Sequence, residues 1–464
     1  MSDGGYDVIV IGAGPPGENA AGRCVDAGMR VAIVESRLVG GECTFWGCIP
    51  SKTLLRPGDA VAAAERAPGA AEAVTGDVDA AAAFAQRDYM TSSWSDETQT
   101  PWLDSKGIEL VRGHGRLAGE RAVDVELSGS AGTRRLTATT AVVLANGTTP
   151  VMPPIDGLAA VGAWSNREAT ATSTVPRRFL VLGGGPTGVE LAQAFRRMGS
   201  EEVVVVDGRP RLLAREEPFA GEEVAAAFRA EGIAVRTAVH AAHATRDEQG
   251  VTLTLDDGSE VSGDELLVAV GRRPNTGDIG LDTVGLDPIE RLEVDERLRV
   301  RGVEGEWLYA VGDVAGLAQL THMGKYQGRL VGDVIAGRDV ADDADRRAIP
   351  RVTFTDPQVA AVGPTEAEAR EAGLDVRVLR TGTGDVAGAY VRGNGITGTS
   401  QLLVDEARGV VVGATFTGPD VQEMLHAATI AVVGEVPLER LWHAVPAFPT
   451  VSEVWLRLLE SYGM

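Results

Sequence analysis

One pattern occurs twice in this chain, and it limits the possible folds more than any other feature. Residues 6–35, YDVIVIGAGPPGENAAGRCVDAGMRVAIVE, run as an apolar stretch, a glycine turn, an amphipathic segment and a second apolar stretch ending in an acid. Gly12, Gly14 and Gly17 supply G-x-G-x-x-G spacing, and Glu35 follows about twenty residues on. Together these predict a strand–turn–helix–strand unit with a dinucleotide at the helix N-terminus. Residues 178–207, RFLVLGGGPTGVELAQAFRRMGSEEVVVVD, repeat the grammar with Gly183, Gly185, Gly188 and Asp207. Three glycines alone are a weak signal; a strand before, a helix after and a terminal acid make it specific. Two such units predict an α/β protein that binds two dinucleotides.

At 464 residues, 44% hydrophobic, the chain suits about three globular domains. Segment 55–112 reads as helices and 110–145 as short strands ending in AVVLANGTTP. LLVAVGRRPNT (266–276) and LYAVGDV (308–314) each end a strand on glycine, and 338–350 is a charged linker. Beyond it, VTFTDP, GITGTSQLLVD and GVVVGATFTGP read as strands, DVQEMLHAATIAVV as a helix, and the C-terminus as helical. A net charge of -23 repels nucleic-acid backbones and anionic bilayers, so neither is expected as a partner. The first residues carry no basic n-region and no apolar run reaches membrane length, which predicts a cytoplasmic protein. Only Lys52, Lys106 and Lys325 are lysines among 43 basic residues. Lys52 is thus expected to do something arginine cannot.

Lys52 closes the stretch GGECTFWGCIPSK, which holds Cys43 and Cys48. A structural zinc site needs a second ligand pair, and the only other cysteine is Cys24. No metal is expected. So short a loop also gains little from a structural disulfide. A reactive pair and two buried thiols both remain as readings.

Taken together, the glycine units, GGECTFWGCIPSK, GGGPTGVE, VGRRPNT, YAVGDV and FTDPQVAAVGPTEAEA resemble the flavoprotein disulfide reductases in order and spacing, along essentially the whole chain. That is the group of lipoamide dehydrogenase, glutathione reductase and mercuric reductase. The resemblance implies two Rossmann-like domains, one for FAD and one for NAD(P), and a C-terminal α+β dimerisation domain. The expected boundaries are 1–155 for the first part of the FAD domain, 156–275 for the NAD(P) domain, 276–345 for the returning FAD segment and 346–464 for the interface domain of a homodimer. FAD is then expected on Gly12, Gly14, Gly17, Glu35, Gly147 and Asp313. The nicotinamide is expected on Gly183, Gly185, Gly188, Asp207, Arg209 and Gly271.

The same resemblance makes Cys43 and Cys48 the redox disulfide, with Cys48 facing the flavin from a helix start and Cys43 meeting the substrate. It also pairs Lys52 with Glu190 beside the flavin ring. Asp207 suits the free 2′-hydroxyl of NADH, while Arg209 and Arg211 suit the 2′-phosphate of NADPH; NADH is favoured. In the family's C-terminal segment a histidine precedes Pro-Thr, and a glutamate further on orients it. Here VPAFPTVSEVW keeps Pro449, Thr450 and Glu453 but places Phe448 at the histidine position. The expected acceptor is therefore a small molecule such as a quinone, a dye or a metal ion rather than an ordinary disulfide. The alternatives are a disulfide reductase that uses His443 as its base, and a flavoprotein subunit without catalysis.

Overall fold

The computed structural model describes residues 5–129, 131–288 and 291–464. The first four residues belong to the stretch read above for a targeting segment and lie outside the described residues. The chain divides into two compact units. One comprises Met1–Ile49, Asp88–Thr149 and Arg272–Arg346; the other comprises Pro50–Arg87, Pro150–Gly271 and Arg347–Met464.

The first unit is built on the strand Tyr6–Ile11. It pairs in parallel with Val31–Glu35 on one side and with Thr133–Leu144 on the other. Glu109–Leu117 extends the sheet beyond Val31–Glu35, and Leu308–Ala310 joins beyond Thr133–Leu144, both in parallel. The last of these strands comes from the returning segment, so the sheet is completed only after the chain has made the other nucleotide unit. Tyr6–Ile11, Val31–Glu35 and the end of Thr133–Leu144 (141–144) are almost continuously apolar because both faces are covered there. Ile9 and Ile11 enter one core, while Val8 and Val10 enter another with Ala20, Ala21, Leu330 and Val331. The second core lies under the helices Pro15–Asp26 and Thr321–Ile335. These two helices approach closely where Gly328 meets the carbonyl of Pro16, a place any Cβ would overlap.

In the second unit the strands Glu265–Val268, Arg178–Leu182, Glu202–Asp207 and Ile233–Thr237 lie in that order and run parallel. A three-stranded antiparallel sheet, Ala241–Asp247, Gly250–Leu255 and Glu260–Gly263, interrupts the run before Glu265. The C-terminal part is a five-stranded antiparallel sheet ordered Arg351–Thr353, Gln358–Val362, Val410–Gly418, Thr399–Asp405 and Val376–Gly382. Its core includes Phe416 and Trp455, whose ring centres are 6.1 Å apart, together with the apolar face of the helix Val421–Val433. The fold is therefore the expected α/β architecture: two parallel nucleotide-binding sheets and a C-terminal α+β part. Among the described residues no helix is long and apolar enough to cross a membrane.

Candidate active site

In the first unit the glycine turn links the strand Tyr6–Ile11 to the helix Pro15–Asp26. Gly12 has φ of +105°, and a Cβ on it would overlap the carbonyl of Ala145. The helix starts at Gly14 with no side-chain cap. Pro15 and Pro16 lack N–H groups, so Gly17 is the first helical residue with one to offer an anion, assisted by the helix dipole. Glu35 ties the second strand back to this turn. Its Oε2 accepts from Ala13 N at 2.8 Å and its Oε1 from Arg37 N at 2.7 Å. Burial pushes the Glu35 carboxyl up against the pull of those two amides.

Asp313 lies in the turn after Leu308–Ala310, and burial pushes its carboxyl up as well. Its Oδ2 accepts from the Thr148 hydroxyl at 2.7 Å, and that hydroxyl accepts from Arg272 Nε at 2.8 Å. Neighbouring Gly147, at φ of +68°, accepts from Asn275 N at 3.0 Å. A Cβ-free turn at a helix start, a strand-end carboxylate and a second buried carboxylate are the groups that a pyrophosphate, a ribose and a polyol chain require. The residues present fit FAD.

Cys43 lies in the short helix Gly41–Phe45, and Cys48 is the first residue of the helix Cys48–Arg66. Both are free thiols. A hydrogen bond to Cys48, then burial, pushes the Cys43 thiol strongly up. The Cys48 sulfur is 3.3 Å from the hydroxyl of Thr321, which opens the helix Thr321–Ile335 and also hydrogen-bonds Cys43. Cys24 is buried separately, within the helix Pro15–Asp26, and burial pushes its thiol to about 12.

In the second unit Lys52 Nζ lies 2.5 Å from Glu190 Oε2 and 5.0 Å from the Phe354 ring centre. Glu190 is 2% exposed, and its Oε1 accepts from Phe354 N at 2.9 Å. Seven residues further along both helices a second pair forms with opposite polarity, Asp59 with Arg197 at 3.1 Å. Arg197 also reaches Glu231 at 2.7 Å and Asp356 at 2.8 Å, and Asp356 pairs with Arg66. Gly183, at φ of +120°, repeats the part of Gly12 against the carbonyl of Ala269. Gly185 opens the helix Pro186–Arg197, and Gly188 packs in its first turn on the carbonyl of Gly183. Asp207 accepts from Gly184 N at 2.5 Å and from Arg209 N at 2.6 Å, one bond per oxygen. Arg211 donates to the carbonyls of Ala214 and Glu216, each at 3.1 Å. Gly271, at φ of +141°, accepts from Val151 N at 2.9 Å.

At the C-terminus Phe448 is 76% exposed and His443 is exposed too. Glu453 is buried, and its Oε1 accepts from Arg457 at 2.9 Å. Its Oε2 is buried with no hydrogen-bond partner among the described residues. The structure thus brings Cys43 to Cys48 and Lys52 to Glu190. Sequence reasoning missed Thr148, Arg272, Thr321 and Arg197. Each acts across a large sequence separation; Thr148 and Arg272 stand within AVVLANGTTP and VGRRPNT, but no spacing in those stretches announces their partners.

Two parallel nucleotide-binding sheets, each with a glycine turn at a helix start, are the architecture of an oxidoreductase that takes two dinucleotides. Residues 6–328 match the family model for pyridine nucleotide-disulphide oxidoreductase, and 349–458 match the dimerisation domain of that family. The chain belongs to the pyridine nucleotide-disulphide oxidoreductases, enzymes that use FAD and NAD(P)H. It is 32% identical to a mercuric reductase of Shigella flexneri over 98% of this chain and 80% of that one. It is also 32% identical to a dihydrolipoyl dehydrogenase of Thermus scotoductus, over 98% and 97%. Among solved structures it is similar to the HOCl-induced flavoprotein disulfide reductase RclA of Escherichia coli, with a TM-score of 0.84 at 25% identity over 98% and 99% of the chains. LpdA of Mycobacterium tuberculosis has the same fold, with a TM-score of 0.85 at 24% identity over 98% and 99% of the chains.

Proposed function

We propose that this protein takes hydride from NADH or NADPH and delivers two electrons, through Cys43 and Cys48, to an acceptor that does not depend on a histidine base. The observation that carries this reading is the adjacency of the two thiols at a helix start, under the hydroxyl of Thr321. FAD, held by Gly12, Gly14, Gly17, Glu35, Gly147 and Asp313, supplies the two-electron relay between nicotinamide and sulfur. The remaining work falls to side chains. The helix dipole favours a thiolate at Cys48, and Thr321 can donate to it. Once that charge exists, a second thiolate beside it is disfavoured, so Cys43 keeps its proton. The buried Glu190 holds the Lys52 ammonium charged and in place.

Gly183, Gly185, Gly188 and Gly271 line the nicotinamide side. Asp207 favours NADH, because its carboxylate accepts from a ribose hydroxyl and repels a phosphate. The engagement of Arg211 with two backbone carbonyls supports this, leaving Arg209 as the arginine in that loop for a 2′-phosphate. The protein acts as a homodimer through 349–458.

A protonated Cys43 attacks a disulfide poorly without a base, and a positioned base contributes about 10²–10⁴-fold to such a step. Phe448 can supply none, and the unpartnered Oε2 of Glu453 suits a histidine that is no longer there. Quinones, one-electron dyes and soft metal ions are thus the favoured acceptors. An acceptor screen tests this. Lipoamide and glutathione disulfide should be turned over slowly and quinones quickly, Phe448→His should raise disulfide reduction, and His443→Ala should leave quinone turnover unchanged. Brisk disulfide reduction lost on removing His443 would favour the ordinary disulfide reductase instead.

A further inference from the structure

Ser92, Ser93 and Trp94 follow one another with φ of +48°, +50° and +58°. One left-handed residue of these types is uncommon, and each of three in succession carries the clash of its Cβ with backbone. The turn closes on itself through Trp94 N to Thr91 O at 2.9 Å and Ser95 N to Ser92 O at 3.0 Å. Backbone of this kind persists where its surroundings hold it. Two of the contacts made at this turn run to the segment that carries Cys43. Trp94 Nε1 donates to the carbonyl of Phe45 at 3.1 Å, and the buried Asp96 accepts from Val39 N at 2.7 Å. Asp96 is itself fixed by Arg112 at 2.6 Å. Val39 and Phe45 flank Cys43, so the cysteine turn is gripped at both ends; between them, Gly40 N donates to Ala13 O at 2.8 Å.

We propose that Trp94 and Asp96 are positioning residues that set the dithiol–disulfide equilibrium of Cys43 and Cys48. The proposal rests on reading these two cysteines as the redox pair. In that couple two electrons and two protons break the S–S bond and give two thiols, and the reverse removes both. A disulfide needs its sulfurs about 2.05 Å apart with a dihedral near 90°. The clamp is in place with the cysteines as free, hydrogen-bonded thiols. Forming the bond takes the two sulfurs from hydrogen-bonding contact to bonding distance, and the backbone flanking Cys43 is held by Trp94 and Asp96. The clamp therefore favours the dithiol, and loosening it favours the disulfide.

The test uses the full-length, flavin-loaded protein equilibrated in dithiothreitol buffers of graded dithiol-to-disulfide ratio, then acid-quenched, alkylated and weighed as the peptide bearing Cys43 and Cys48. Trp94→Phe, which keeps a ring but loses the N–H, should shift the equilibrium about tenfold toward disulfide. For a two-electron couple that is a midpoint lower by about 30 mV. Asp96→Ala should do the same, whereas Asp96→Asn keeps an acceptor for Val39 N and should hold the wild-type midpoint. Ser93→Gly relieves the left-handed strain without touching either grip, and should leave the midpoint unchanged while raising thermal stability. If Trp94→Phe fails to fold, the comparison of Asp96→Ala with Asp96→Asn decides. An unchanged or raised midpoint in the loosened variants overturns the clamp while leaving the redox pair standing. A wild type that never forms the Cys43–Cys48 disulfide overturns the redox-pair reading and the clamp together.

Discussion

Glu18 shows how a single side chain can make the stability of this protein depend on pH. It lies in the first turn of the helix Pro15–Asp26, where burial pushes its carboxyl to about 7, opposed by Lys325 and reinforced by Glu35. A carboxyl whose folded value is raised binds its proton more tightly in the native state. The stability it contributes is complete below its ordinary value of 4.5 and is lost as pH rises through about 7. Glu18→Gln should thus stabilise the protein at pH 8, on the order of 1–3 kcal/mol, and do little at pH 4, as read from melting curves across that range. Asp207 supports a second expectation at this scale. Its two oxygens hold the strand end and the following loop, so Asp207→Ser should lower NADH use and shift the kcat/KM ratio toward NADPH by about tenfold, about 1.4 kcal/mol. A wild type that already prefers NADPH would assign control of the pocket to Arg209. Glu35 and Asp207 were legible in the sequence because an acid at a strand end about twenty residues from a glycine triplet is a local pattern. Thr321 was not, since it meets Cys48 across 273 residues with no spacing to announce it.

Between elements, the helices Cys48–Arg66 and Pro186–Arg197 carry charges seven residues apart that meet rung by rung, Lys52 with Glu190 and Asp59 with Arg197. Burial pushes Asp59 to about 6 even with Arg197 beside it. At Asp356 burial pushes the carboxyl up, but Arg197 and Arg66 together outweigh it and hold the group below its usual range. Removing one partner from a buried network leaves uncompensated charge, so Arg197→Ala should cost about 3–5 kcal/mol in denaturant unfolding. Arg197→Lys should recover only part of that, because one ammonium cannot serve three carboxylates with a planar fork. This ladder was half legible. The resemblance points to Lys52 and Glu190, whereas no motif marks Asp59 or Arg197, whose pairing depends on how the two helices lie against each other. The C-terminal sheet was legible in a similar measure. Thr399–Asp405 and Val410–Gly418 announce themselves by apolar runs, whereas Val376–Gly382 hides behind its outward Arg377 and Arg380.

For the whole molecule, the two nucleotide units were legible because each is a contiguous pattern of glycine, helix and strand that topology only assembles. The acceptor was not, because its proposed choice rests on the exposed Phe448 and on Glu453 Oε2, which has no partner among the described residues, features that gain meaning only beside a substrate. On the proposed function, Cys48, at its helix start beside Thr321, becomes the thiolate of a working redox pair. Anaerobic titration with one equivalent of NADH, followed by visible absorbance, tests it most directly. With Cys48 as that thiolate, the oxidised-flavin band should largely persist while a long-wavelength charge-transfer band appears, and Cys48→Ser should abolish the new band. Simple bleaching of the wild type with no such band would contradict it.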